Sequence, residues 1–210
     1  MIPIINNSKE LDIEFNKYKD IFSKPQFRHF SSYCTGLILQ EKQFTINSIN
    51  KLFINEDFQR NQSSLNRFFK NSPWDEEAFS IKRLRQLNND AKTRTKETGY
   101  LILDDSCLPK TGSHMEAIGS HWSASENKTV FGHNMVSLHY IDEDKEYPLL
   151  PAFYRKKEHS KKDTFKTKID IAIGLLTDAV KKGLLKAKTC LFDSWYLSKR
   201  LVEHLFLLFY

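Results

Sequence analysis

The stretch Tyr100-Leu101-Ile102-Leu103-Asp104-Asp105-Ser106 decides how the chain is read. Four strand-forming apolar residues, cut off by two carboxylates and a hydroxyl, describe a buried strand that ends in acids. A second run, Thr189-Cys190-Leu191-Phe192, stops the same way at Asp193. Placed side by side and parallel, the two strands would deliver Asp104 and Asp193 to one carboxyl end of one sheet, where α/β folds build their sites. Hard carboxylate oxygens at such a place suit a pair of divalent cations, the arrangement that two-metal phosphoryl transfer requires. The competing reading of a strand-end aspartate is a helix cap or a solvated turn acid.

Between these runs, Val130 to Tyr140 alternates, with Val136, Leu138 and Tyr140 on one side and Ser137 and His139 on the other. A polar loop with Gly112 and Gly119 precedes it. Glu146 to Tyr154 is expected to form a third strand, confined to a sheet edge by Pro148 and Pro151. Phe165, Ile169, Ala172, Ile173, Leu176, Ala179 and Val180 recur at helical intervals, which predicts a helix from Thr164 to a terminator at Gly183. Ser198 opens a last helix toward Leu208. The order from Tyr100 is thus β-β-β-α-β-α, an α/β mixed sheet.

Residues 1 to about 90 carry no alternating pattern, and their apolar positions repeat as in helices. Thr45, Ile46, Ile49, Leu52 and Phe53 suit one amphipathic helix; Ser63, Leu65, Phe68 and Phe69 suit a second, after a polar break at Asn55 to Asn61. Two helices so joined are compatible with a helix-turn-helix that offers Gln62, Ser63, Ser64, Asn66 and Arg67 to a DNA groove. Any small helical bundle shows the same periods. The polar run Asn88 to Thr98 has no apolar face and is taken as the boundary between a helical region, 1–98, and an α/β domain, 99–210.

Across 210 residues there are 32 Lys and Arg against 26 Asp and Glu, a net charge of +6, which points to a polyanionic partner over an acidic or neutral one. The segment Arg155 to Lys168 concentrates it, with Arg155, Lys156, Lys157, Lys161, Lys162, Lys166 and Lys168 against Glu158 and Asp163. Such a run is either a solvated loop or a contact to a nucleic-acid backbone. Three widely spaced cysteines without CxxC spacing read as reduced thiols, and no secretory or membrane-spanning segment is visible, so the expected compartment is the cytoplasm. No histidine pair at zinc-ligand spacing and no G-x-S-x-G elbow argue against zinc or serine-hydrolase chemistry.

Three ordered strings, LILDDSCLPKTGSHMEAIGSHWS, KTVFGHNMVSLHY and KTCLFDSWYLSKRLVEHL, resemble the catalytic domain of bacterial and archaeal insertion-sequence transposases with a DDE endonuclease. The likeness spans Tyr100 to Leu205, and more faintly SSLNRFF-x-x-SPW ahead of it. It implies an RNase H-like sheet and a DNA transposase that binds terminal inverted repeats, cleaves a strand and transfers the freed 3′ end to a target duplex. Mg2+, or Mn2+ in its place, is the implied cofactor, in a two-metal site; DNA is the implied partner, no membrane is involved, and a homodimer is left open.

By the same resemblance Asp104 is the first metal-binding acid and Asp193 the second, with Asp105 the rival for the first place. Lys110 and Gly112 match the loop after the first acid, where a lysine approaches phosphate, and Trp195 and Tyr196 stand where an aromatic ring would stack on a distorted base. The family's third acid, a glutamate on a later helix, has no counterpart before Tyr210, because Glu203 follows Asp193 too closely. The resemblance therefore implies an incomplete catalytic domain, inactive alone, whose other reading is a DNA-binding fragment that regulates transposition.

Overall fold

The computed structural model describes residues 7–40, 44–53, 61–112, 114–149, 151–161, 164–181 and 185–210. It divides into two compact units, Met1–Lys82 and Arg83–Tyr210.

The first unit is helical, as its periodicity predicts. Four helices lie within it: α1 (Lys9–Asn16), α2 (Lys24–Leu39), α3 (Ile46–Asn50) and α4 (Gln62–Asn71). A fifth, α5 (Glu76–Asn89), runs through the division between the units. Local chemistry sets their starts. Ser8, Thr45 and Asn61 each accept a hydrogen bond from the first turn they cap, and Gln26 Oε1 takes the Ser23 N–H at the head of α2. Ile49, Leu52, Phe53, Leu65 and Phe68 are buried, while Phe22 stacks on Phe30 at 4.8 Å and meets Phe68, Trp74 and Phe79. Gly36 lets α3 approach α2, since a Cβ there would stand 2.2 Å from Ile49. Most of the polar break expected at Asn55 to Asn61 lies outside the described residues.

The polar run at 88–98, taken from sequence as the boundary between the two regions, is a built turn within the second unit. Asn88 Oδ1 accepts both the N–H and the hydroxyl of Thr95, the Thr93 hydroxyl donates to Leu87 O, and the Lys96 N–H donates to the Tyr140 hydroxyl. Its polar side chains satisfy backbone groups, which is why it needs no apolar face.

The second unit is a six-stranded mixed sheet: β1 (Tyr100–Pro109), β2 (Gly119–Ser123), β3 (Lys128–Ile141), β4 (Glu146–Pro148), β5 (Ala152–Tyr154) and β6 (Thr189–Phe192). The long β3 is its spine, antiparallel to β1, β2, β4 and β5. Among the described residues only β6 runs parallel to β1, pairing Tyr100–Leu103 with Thr189–Phe192. Helix α6 (Lys168–Lys181) crosses between β5 and β6, and α7 (Lys199–Phe209) follows. The core contains Leu101, Leu103, Val136, Leu138, Tyr140, Leu176 and Leu201.

Four expectations change. β1 does not end at Asp104 but continues through both aspartates to Pro109, because β3 supplies antiparallel partners along that whole length. The loop after β1 contains a strand, β2, and the strand expected at 146–154 is split into β4 and β5 around its two prolines. Helix α6 begins at Lys168 rather than Thr164, because Thr167 and Asp170 bond reciprocally as a cap: the Thr167 N–H and hydroxyl donate to Asp170 Oδ2, and the Asp170 N–H donates to Thr167 Oγ1. Gly183 lies outside the described residues. The three cysteines are free, and burial pushes the thiols of Cys34 and Cys190 up to about 12. Among the described residues no helix is long and apolar enough to cross a membrane.

Candidate metal centre and phosphate cavity

The parallel ladder of β1 and β6 closes at Leu103 opposite Phe192. Asp104 and Asp193 are the next residues on each strand, so the two acids leave the ladder at the same register and the same carboxyl end. Asp104, Asp105 and Asp193 all border one cavity of about 930 Å³, together with Cys107, His121, Trp122, Tyr154, Lys156, Lys168 and Trp195.

Alternation along β1 separates the two neighbouring aspartates. Leu101, Leu103 and Asp105 share the inward face, and Asp105 is half-buried there. Its Oδ2 accepts from Lys168 Nζ at 2.7 Å and from Asn134 Nδ2 at 3.0 Å, and its Oδ1 accepts from the Tyr196 hydroxyl at 3.2 Å. Both oxygens are thus committed to protein donors. Tyr196 is 1% exposed, and burial together with the Asp105 charge pushes its hydroxyl far above the usual phenol range. Asp104 is exposed on the other face, at the rim. Its Oδ1 accepts the N–H of Asp105 at 2.7 Å, and it also borders a 290 Å³ pocket with Ile102, Ser106, Ser137 and His139.

Asp193 follows β6 and caps the 3-10 turn Ser194–Tyr196. Its Oδ1 accepts the Trp195 N–H at 3.0 Å and the Ser194 hydroxyl at 2.9 Å, and these bonds hold its carboxyl below the usual range. A cap is not an alternative to metal binding here, because it uses one oxygen and fixes the direction of the other. The chemistry of the donors fits a hard divalent cation: an exposed carboxylate on each of two adjacent strands, each engaged through Oδ1, beside an accessible cavity. Among the described residues, the group of acids whose oxygens all lie within 4.8 Å is Asp142, Glu143 and Asp144, at the tip between β3 and β4, where Lys96 and Lys145 pair with it.

Comparison with known proteins decides the family. The model described as DDE superfamily endonuclease matches residues 17–206. The chain belongs to this superfamily. The chain is also 29% identical over 183 residues to a protein of Microchaete diplosiphon described as "Probable transposase for insertion sequence element IS701", a match that covers 85% of the chain and 46% of that relative. The chain therefore spans about half the length of the curated relative it matches. No solved structure matches it. The resemblance to DDE insertion-sequence transposases read from the three strings is borne out.

The remaining residues singled out from sequence scatter more widely over the chain. Lys156 and Trp195 border the cavity, and Trp195, 60% exposed, lies under Lys168 Nζ at 5.2 Å from its ring centre. Lys110 follows the far end of β1, about 20 Å along an extended strand from Asp104, and does not border the cavity. Arg155, which pairs with Glu116, and Lys161 line a separate pocket of about 560 Å³; Lys157 is exposed, and Lys162 lies outside the described residues. On α4, Gln62, Ser63, Asn66 and Arg67 are exposed, while the Ser64 hydroxyl donates to Asn61 O.

Sequence reading counts Lys168 within the basic run and sets His121 near the site as a loop histidine for packing or hydrogen bonding, but misses the hold of Lys168 and Asn134 on Asp105 and the strand position of Asn134 and His121. A signal existed for two of them. Asn134 occupies the inward register of β3 between Gly132 and Val136, and His121 the inward register of β2 between Gly119 and Ser123, so each is a polar residue where alternation calls for an apolar one.

Proposed function

We propose that this chain serves as an insertion-sequence transposase, whose catalytic domain has an RNase H-like sheet and cuts and joins DNA strands at the carboxyl ends of β1 and β6. The observation that carries this reading is the register: Asp104 and Asp193 stand one residue past the last pair of the parallel ladder and open onto one cavity that also presents Lys156 and Lys168. Asp104 and Asp193 would hold Mg2+ or Mn2+, with Asp105 engaged instead by Lys168, Asn134 and Tyr196. A bound divalent cation supplies Lewis acidity toward an attacking water or 3′-hydroxyl and toward the leaving oxygen. The chain's own part is to orient the two carboxylates, through the β1–β3 ladder for Asp104 and the 3-10 cap for Asp193, and to balance the charge of the phosphate with lysines. The exposed polar side chains of α4 would contact the repeat DNA.

A second reading, a chain that occupies element ends and regulates transposition without cutting, is favoured by one observation: among the described residues no glutamate borders the cavity. Incubating the protein with a labelled inverted-repeat duplex and Mg2+ separates the two. Nicking that disappears in Asp193→Asn supports the nuclease. A specific gel shift without nicking supports the regulator, and nicking unchanged in Asp193→Asn removes the assignment of that residue.

A further inference from the structure

Two buried polar atoms of the second unit, His121 Nε2 and Asn134 Oδ1, have no hydrogen-bond partner among the described residues. Such atoms carry a desolvation cost unless something else satisfies them. Asn134 is already tied through its amide nitrogen to Asp105 and to Cys107 Sγ. His121 differs, because it is 7% exposed, borders the 930 Å³ cavity, and is bordered on the same wall by Lys156 and Lys168.

The surroundings of His121 define what it can bind. Burial first, then the charges of Lys156 and Lys168, drive its pKa below the ordinary imidazole value, so the ring is neutral at pH 7. At the His121 ring itself the two ammonium groups disfavour a cation, whereas the carboxylates of Asp104 and Asp193 favour one elsewhere on the same wall. An anionic oxygen is favoured, since a neutral imidazole can donate through Nε2 while Lys156 and Lys168, paired with Glu158 at 3.7 Å and with Asp105 at 2.7 Å, offer further charged N–H donors. Lys168 is held for this work: Asp105 anchors its Nζ, which stands 5.2 Å from the Trp195 ring centre and 5.7 Å from that of Tyr154.

The geometry points to a phosphate-binding subsite formed by His121, Lys156 and Lys168 on the cavity wall, which grips a phosphodiester of a DNA strand crossing the site. The identification of the polymer rests on the transposase reading; the anion site itself does not. It acts without a divalent cation, so its test is made in EDTA. Anisotropy of a labelled single-stranded oligonucleotide is measured with the 210-residue protein, using a phosphodiester strand and a neutral methylphosphonate strand of the same sequence. His121→Ala and Lys168→Met are each expected to weaken binding of the phosphodiester strand about tenfold and to leave the neutral strand unaffected. His121→Gln, which keeps an N–H donor, is expected to recover most of the loss. Because His121→Ala could disturb folding, the wild-type ring is also followed by 15N NMR, where Nε2 is expected to shift with the phosphodiester strand alone. Equal affinity in wild type and His121→Ala, or an Nε2 resonance indifferent to the charged strand, overturns the subsite. Mg2+-dependent nicking is scored separately: a protein that grips the strand in EDTA but never nicks it sinks the nuclease reading and leaves this subsite standing.

Discussion

Adjacent aspartates at 104 and 105 show how one step along a strand changes the role of the same side chain. Asp105 faces inward and neutralises Lys168, with each side chain about one-fifth exposed, whereas Asp104 faces outward and, among the described residues, its side chain is bonded to the next backbone N–H. Replacing Asp105 by Ala strands a largely buried ammonium and removes three hydrogen bonds, so a loss of about 1–3 kcal/mol of stability is expected in urea unfolding. Asp104→Ala touches nothing buried and is expected to change stability by less than about 0.5 kcal/mol while removing metal-dependent cleavage in an active protein. Equal stability losses for the two would contradict the difference in burial. The sequence could not separate them, since D-D-S leaves the strand register open by one, and only the pairing of Asp105 with Val136 and Asp104 with Ser137 assigns the faces.

At the level of elements, what could be read depended on whether the deciding interaction was local. The apolar runs at 100–103 and 189–192, the alternation of β3 and the helical period of α6 are local, and each is found where expected. The continuation of β1 through Asp104, Asp105 and Ser106 is not local, because those polar residues are held in a strand by β3. The start of α6 lies between these cases. Apolar period favours Thr164, but the reciprocal cap of Thr167 and Asp170 wins, and Thr167→Ala is expected to cost about 1 kcal/mol in chemical unfolding. A cost no greater than that of an exposed helix-surface change would deny the cap its part.

The tip between β3 and β4 adds a pH dependence to the same sheet. Burial alone would raise the Asp142 carboxyl, but the Tyr140 hydroxyl, the Asp144 N–H and Lys145 outweigh it and bring it down to about 2. A carboxyl that titrates lower in the folded than in the unfolded chain stabilises fully above the unfolded value of 3.8, and that stabilisation is lost as pH falls toward 2. Acid unfolding followed by circular dichroism should therefore steepen between about pH 4 and 2. Asp142→Asn should flatten that portion of the profile; an unchanged profile would mean that the tip does not hold Tyr140.

For the whole molecule, the net charge of +6 states that a polyanion is welcome without saying where it lies. The basic run at 155–168, which sequence reading treats as one stretch, is divided by the fold: Lys156 and Lys168 meet at the cavity, while Arg155 and Lys161 line a different pocket. That division has a measurable form, because each lysine that neutralises a phosphate contributes roughly 0.7 to the slope of log affinity against log salt for a single strand. The double replacement of Lys156 and Lys168 by Gln should lower the slope by roughly 1.4. Replacing Lys110 and Lys157, both exposed and away from the cavity, should leave the slope nearly unchanged for a short strand that fills only the cavity. If instead all four lysines lowered it alike, the strand would be spread over the surface by charge alone, and the convergence of His121, Lys156 and Lys168 would have no part in holding it.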